Sequence, residues 1–267
     1  MAMQVIEWSH FLEDALPFGD SRTAITIGVF DGVHKGHKAL IERIVAFNDH
    51  AIPVVITFKH SAFKKERKEH LGEISSFRQK MAAFESLGVS VCITIEFSES
   101  FRLMSGKDFL RILYEQGKMS FLAVGSNFRC GYQLDTDAAS IQMLNEERNI
   151  PTAIVEVLTE DSVTISSTQI RTAIRNGNLK TAEAMLGYPF TIDLTGVSPL
   201  VVDGGLAYGI SDHGRILPPP GRYPGFLNKI RDFRGIKETT EILVEKGYLI
   251  IKGNPTDACL ESVEFLT

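Results

Sequence analysis

Between Ala24 and Val157, short runs rich in β-branched residues alternate with longer stretches whose apolar residues recur at helical spacing. The runs are Ala24–Val29, Pro53–Phe58, Val89–Ile95, Phe121–Gly125 and Thr152–Val157. The helical stretches are His37–Asn48, Phe77–Leu87, Lys107–Gln116 and Ala138–Arg148, with Ser75 and Ser105 placed to cap two of them. Strands joined through helices predict a parallel sheet covered on both faces, a doubly wound α/β arrangement. In such sheets ligands bind beyond the strand C-termini. Residues 1 to 23 read as an entry segment with a short helix around Phe11 to Ala15.

The first of these strand ends carries the most pointed chemistry. Ile25 to Arg43 passes from a β-branched run through Gly28, Gly32 and Gly36 into a helical stretch with apolar Leu40, Ile41, Ile44 and Val45. Glycines let a backbone approach a ligand closely, and a helix start offers unpaired N–H groups and partial positive charge to phosphate. His34 and His37 stand at this helix mouth, three residues apart, where both imidazoles can donate to phosphate oxygens. The residues alone fit a polar turn with two solvated histidines equally well. A zinc site is disfavoured, because only His60 and His70 lie near as further ligands and no carboxylate has matching spacing. Neither the dinucleotide-binding nor the P-loop glycine pattern is present.

Two later segments add polar groups at comparable places. Val124–Gly131 reads V-G-S-N-F-R-C-G, so the fourth run ends in Asn127, a donor and acceptor, and Phe128, a flat face for a stacked ring. An ordinary β-turn with a core phenylalanine explains the same residues. Ile165–Arg171 reads I-S-S-T-Q-I-R, in which Ser166 and Gln169 fit a capping box for a helix ending near Asn176-Gly177. Ser167, Thr168, the free N–H groups of that first turn and Arg171 together suit a triphosphate. A plain capped helix accounts for the serines but not for the arginine.

The totals exclude several function classes. The 267 residues carry a formal charge of −5 with 23% charged residues, which gives no electrostatic case for nucleic acid. The dense run Lys64–Glu69 mixes signs and reads as a solvated surface. Cys92, Cys130 and Cys259 are scattered and form no disulfide framework, in keeping with a reducing compartment. The opening residues lack a signal-peptide pattern, and no apolar run reaches the ~20 residues of a membrane helix. The expectation is a cytoplasmic protein without membrane or nucleic-acid partners, and nothing in the sequence sets an oligomeric state.

G-V-F-D-G-V-H-K-G-H at 28–37 resembles the His-x-Gly-His signature of nucleotidylyltransferases, and in detail that of bacterial FAD synthetases, the riboflavin kinase/FMN adenylyltransferase family. The segments at 124–131 and 165–171 resemble two further motifs of that family, Cys130 standing where its pattern has phenylalanine. The resemblance covers about 24 to 188 and implies a Rossmann-like sheet of nucleotidylyltransferase type. It also implies adenylyl transfer from ATP, with Mg²⁺, to FMN, giving FAD. Carried onto this chain, it makes His34, His37 and Asn127 catalytic. ATP binding falls to Gly28, Phe30, Asp31, Gly32, His34, His37, Ser167, Thr168 and Arg171, and flavin binding to Asn127 and Phe128. No protein metal ligand is implied. Thr57–Ala62 departs from the family's T-F-D-P-H-P, keeping Thr57, Phe58 and a displaced His60.

After Leu179–Leu186 and Gly187-Tyr188-Pro189 the texture changes to short β-rich runs separated by Gly, Pro and Asp turns. This predicts a small C-terminal β-barrel-like domain. The expected division is 1–188 for adenylyl transfer and 189–267 for a reduced riboflavin-kinase-like β domain. Ile216–Tyr223 resembles a kinase segment, but the P-T-A-N motif of the kinase is missing, and Asn254-Pro255-Thr256 comes too late in the order. The expectation is no riboflavin phosphorylation, or only a feeble one, against the alternative of a bifunctional kinase/FAD synthetase.

Overall fold

A computed structural model describes residues 2–13, 19, 21–47, 50–59, 72–229, 238–252 and 260–267. His60, His70, the charge run at 64–69, Asn254–Asp257 and Cys259 lie outside them. By packing the chain divides into two units, one of residues 1–30, 36–66 and 80–158, the other of 31–35, 67–79 and 159–267.

The first unit contains a six-stranded parallel sheet. Its strands are β1 (Gln4–Glu7), β2 (Thr23–Ile27), β3 (Ile52–Phe58), β4 (Val91–Ile95) and β5 (Met119–Gly125). The short pair β6 (Arg129–Cys130) and β7 (Thr136–Asp137) follows, and then β8 (Thr152–Val155) completes the sheet. The order is β1-β4-β3-β2-β5-β8, every pair parallel. Helices α1 (Trp8–Glu13), α2 (Lys35–Val45), α3 (Phe77–Ser86), α4 (Glu99–Arg102), α5 (Gly106–Glu115) and α6 (Ala138–Glu146) come between the strands in sequence. Every residue of β2 and of β4 is buried, as strands covered on both faces must be. Ile25, Ile27, Val54, Ile56 and Leu122 join Trp8, Phe11, Leu110 and Leu113 in one cluster. Each such side chain contributes roughly 1.5–3 kcal/mol.

The doubly wound expectation is met, with three local differences. Gln4–Glu7 is a sixth strand, paired in register from Gln4 opposite Val91 to Glu7 opposite Thr94, where the sequence reads as an entry segment. It is an edge strand with three exposed residues, so it lacks the apolar run that marks a buried strand. The helix that follows is Trp8–Glu13, starting earlier than expected because Trp8 and Phe11 turn into the core. Ser105 caps α5, accepting from Asp108 N at 3.1 Å. For α3 the capping serine is Ser76, not Ser75. Ser76 Oγ accepts from Gln79 N (2.9 Å) while Gln79 Oε1 accepts from Ser76 N (2.8 Å), a reciprocal capping box.

The second unit begins, after the short hairpin β9 (Thr159–Glu160) and β10 (Val163–Thr164), with helices α7 (Ser167–Arg175) and α8 (Leu179–Leu186). Seven antiparallel strands follow: β11 (Thr191–Asp193), β12 (Leu200–Val202), β13 (Gly205–Gly209), β14 (Gly221–Lys229), β15 (Glu238–Glu245), β16 (Tyr248–Lys252) and β17 (Leu260–Phe265). Their order, β11-β17-β14-β15-β16-β13-β12, makes a curled half-barrel. Ile170, Ile174, Leu179, Met185 and Leu186 of the helices share one buried cluster with Phe190, Tyr208, Ile242, Leu249 and Phe265.

Candidate active site

In the parallel sheet the chain runs outward one way from β2 through β3 to β4, and the other way through β5 to β8. The loops after β2 and β5 therefore leave adjacent strands at the topological switch point, where open α/β sheets bind ligands. The first carries Gly28 and Phe30, the second Ser126 to Phe128.

The loop after β2 is bent through the left-handed region. Phe30 has φ 53°, Gly32 80° and Val33 30°. For a phenylalanine, and more so for a β-branched valine, such angles cost of order 1–3 kcal/mol each and cluster at functional sites. At Gly28 a Cβ would come within 3.2 Å of the Phe30 ring, so the lack of a side chain lets that ring fold back over the strand end. Phe30 is fully buried and meets the His37 imidazole edge-on, with centroids 5.1 Å apart and planes at 70°. His37 lies in the first turn of α2, half-buried.

Asp31, Gly32 and His34 belong to the second unit, and there they meet the I-S-S-T-Q-I-R segment. Asp31 is buried, and its carboxylate accepts from Ile74 N and Ser75 N at 3.1 Å and from Ser75 Oγ at 3.4 Å. Arg171 pairs with it through Nη2 and donates Nε to Gly72 O at 2.9 Å. A buried carboxylate needs such a partner, since an unpaired charge there is very costly. Gly32 N donates to Ser75 Oγ (3.0 Å), and Tyr188 Oη donates to Gly32 O. Burial, then the Asp31 charge, push the Tyr188 hydroxyl well above the ordinary phenol range. Ser167 Oγ donates to Asp31 O at 2.9 Å, and Lys35 Nζ pairs with Glu160 at 2.7 Å.

His34 is only 6% exposed. Burial pulls its imidazole down to about 4, with Arg171 acting the same way and Asp31 opposing. At neutral pH it is an uncharged ring. Ser166 caps α7, accepting from Gln169 N at 3.3 Å, and the expected helix end is found with Asn176 as C-cap and Gly177 at φ 76°. Thr168 is exposed in the first turn beside Ser167.

Asn127 is exposed in the turn closed by Phe128 N donating to Gly125 O at 2.9 Å. Phe128 is half-buried and packs against the Trp8 cluster. Cys130 has its thiol pushed up to about 12 by burial, so it is not a nucleophile at neutral pH. Among the described residues no three His, Cys, Asp or Glu side chains gather as a metal site, and no helix is long and apolar enough to cross a membrane.

Within its unit, then, the structure joins Asp31 and Gly32 to Ser167 and Arg171, with His34 beside the charged pair. In the other it joins Gly28, Phe30 and His37, and holds Asn127 and Phe128 on the adjacent strand end. Sequence reasoning missed Ser75 and Tyr188, which hold the loop. It also missed Lys80, a buried lysine on α3. A signal for Lys80 was there: Phe77, Lys80, Met81 and Phe84 fall at i, i+3, i+4 and i+7, which puts the lysine on the apolar stripe.

Comparison with known proteins adds an independent finding. A family model described as FAD synthetase matches residues 18–169. An FAD synthetase of Listeria monocytogenes is 31% identical over 211 residues, 78% of this chain and 82% of that protein. A bifunctional riboflavin kinase/FMN adenylyltransferase of Buchnera aphidicola is 28% identical over 194 residues, 71% of this chain. The match spans only 61% of the length of that bifunctional relative. A crystal structure of a Streptococcus pneumoniae protein called a macrolide-efflux protein aligns with TM-score 0.79 at 21% identity, covering 98% of this chain and 89% of that one. At that identity the likeness speaks for the fold alone.

Proposed function

The chain belongs to the FAD synthetase family, and from that premise we propose that it is an FMN adenylyltransferase, joining ATP and FMN into FAD with release of pyrophosphate. The observation that carries this reading is the placing of His34-Lys35-Gly36-His37 at the entrance of α2, directly after the central strand β2. On this reading residues 1–188 carry the transfer and 189–267 form a reduced riboflavin-kinase-like part. The protein would work in the cytoplasm on small-molecule partners alone.

An oxygen of the FMN phosphate attacks the α-phosphorus of ATP, the bond from that phosphorus to the bridging oxygen breaks, and pyrophosphate leaves. A phosphate monoester is largely dianionic at pH 7, so no general base is required. What the protein must supply is alignment and stabilisation of the charge that builds on the transferring phosphoryl oxygens. His34, neutral and buried, and His37, at a helix N-terminus, donate to those oxygens. Gly28 and Phe30 in the first unit, and Asp31 and Gly32 in the second, are assigned to nucleotide binding. Asp31 contributes through its backbone and through Arg171, because its carboxylate oxygens are already engaged. Thr168 and the first-turn N–H groups of α7 take the β- and γ-phosphates. Ser167 acts there through its N–H, its hydroxyl proton being given to Asp31 O. Arg171 turns its remaining nitrogen, Nη1, to the same phosphates. Asn127 aligns the reacting phosphates and Phe128 offers its ring to the flavin.

Mg²⁺ fits this arrangement as an ion carried mainly by ATP phosphate oxygens, which suits the absence of a protein ligand cluster among the described residues. When bound it would neutralise charge on the triphosphate.

Incubating the protein with FMN, ATP and Mg²⁺ and separating the flavins by chromatography tests the proposal, with FAD and pyrophosphate expected in equal amounts. If both ligands bind and no FAD forms, the protein is a flavin-nucleotide binder and not an enzyme.

A further inference from the structure

Lys80 is 6% exposed, yet it lies on α3 among the residues of the parallel-sheet unit. Its ammonium donates to Phe58 O at 3.0 Å, to Val29 O at 3.2 Å and to Thr57 Oγ1 at 3.4 Å. Thr57 Oγ1 in turn donates to Val29 O at 3.1 Å. One carbonyl at the end of the central strand thus receives two side-chain donors, one of them charged. Burying an ammonium costs several kcal/mol unless its donors are satisfied, so a lysine placed here holds its oxygens firmly or not at all.

The next residue is Phe30, at φ 53°. A phenylalanine leaves this conformation readily unless its neighbours hold it. In a planar trans peptide the carbonyl and the following N–H point opposite ways, so fixing Val29 O also fixes the Phe30 N–H and the entry of the loop. The Phe30 ring is then clasped between Phe84, centroids 5.5 Å apart, and His37, 5.1 Å apart.

We propose that Lys80, assisted by Thr57, is a positioning residue for the transfer reaction: it clamps the Val29 carbonyl, sets the left-handed Phe30, and through that ring orients His37. This rests on the adenylyl-transfer reading for its kinetic consequence, though not for the geometry. It also gives a use to Thr57, retained with Phe58 in a segment that departs from the family pattern.

Wild-type FAD formation is measured first and judges the underlying reading by itself. Lys80→Met and Thr57→Val are then compared with wild type in kcat, in KM for each substrate, and in the His37 imidazole NMR signals. We expect kcat to fall about 10²-fold for Lys80→Met and about tenfold for Thr57→Val, as loss of alignment does. The KM for FMN should stay within about threefold, because neither the clamp nor Phe30 touches that substrate. The His37 signals should shift in both variants, since the ring against which they lie has moved. Those signals need no turnover, so they decide the proposal even if wild type makes no FAD. Unchanged His37 signals in both variants overturn it, and so does a kcat kept within about threefold in both. Leu113→Ala, a cavity in the Trp8 cluster, controls for general destabilisation, and an equal kcat loss there overturns the proposal. If Lys80→Met does not fold, the near-isosteric Thr57→Val decides alone.

Discussion

Strands β2 and β4 of the parallel sheet bury every residue, while β15 of the antiparallel sheet buries only Ile242 and Val244 of its eight. A sheet covered on both faces has no side chains to spare along its strands, so its polar chemistry collects in the loops at the strand ends. Those loops hold Gly28, Phe30, His37 and Asn127. The antiparallel sheet turns a face to water, and what it displays there is surface charge: Arg222 pairs with Glu241 at 2.6 Å and Lys252 with the same carboxylate at 3.4 Å. Exposed pairs of this kind are screened by water, add little to stability and imply no chemistry. On the proposed reading, one sheet is a platform for reacting groups and the other a scaffold.

That contrast can be broken most directly at the histidines. His34→Ala and His37→Ala should each lower FAD formation by roughly 10²–10³-fold, the usual cost of removing one preorganised donor. Circular dichroism should report an intact fold for His37→Ala, whose side chain is half-buried. Near-normal turnover in the double variant would move the chemistry elsewhere.

The next effect in size is on stability. The His34 imidazole sits at about 4 in the folded chain, against 6.5 for an ordinary histidine, because burial disfavours the charged ring. Between those values the unfolded chain binds a proton that the folded chain does not. Stability from this group is therefore complete above pH 6.5 and drains away as pH falls to 4, by up to about 3 kcal/mol. Urea unfolding at pH 7, 5.5 and 4 should show a decline that is shallower in His34→Gln. Identical slopes in the two proteins would show that His34 is not the responsible group.

Arg171→Lys sharpens the comparison from the second unit. A lysine cannot serve Asp31 and Gly72 O while keeping a third nitrogen for phosphate, so KM for ATP should rise about tenfold and KM for FMN stay unchanged. Equal losses for both substrates would count against a phosphate role. The smallest expected effect is none: with riboflavin, ATP and Mg²⁺, no FMN should form. Robust FMN production would make the antiparallel sheet a second platform and the protein bifunctional.

Much of this was legible in the residues. Buried parallel strands are continuous apolar runs, and Ala24–Val29 or Val89–Ile95 can be read as such without knowing their neighbours. Caps are local too, which is why Ser105, Ser166 and the α7 end near Gly177 came out where expected. Gln4–Glu7 did not, because an edge strand with one half-buried residue carries almost no pattern and becomes a strand only by pairing with β4. Ser75 and Ser76 stand side by side, and only the nearby Asp31 and Gln79 decide which of them caps the helix.

The chain's own order of residues determined the alternation of strands and helices, the glycine-lined turn before two histidines, and the capped helix carrying Arg171, because each is a matter of local backbone preference and side-chain period. Tertiary structure alone decided which charges are buried and what they hold. Asp31 and Arg171, 140 residues apart, are both assigned to ATP by the family resemblance and are found paired with each other. Lys80, on the apolar stripe of its helix, is found inside, gripping Val29 and Phe58, partners that no local pattern names. A buried charge takes its meaning from partners distant in the chain, and where those partners stand is set only when the strands have been ordered.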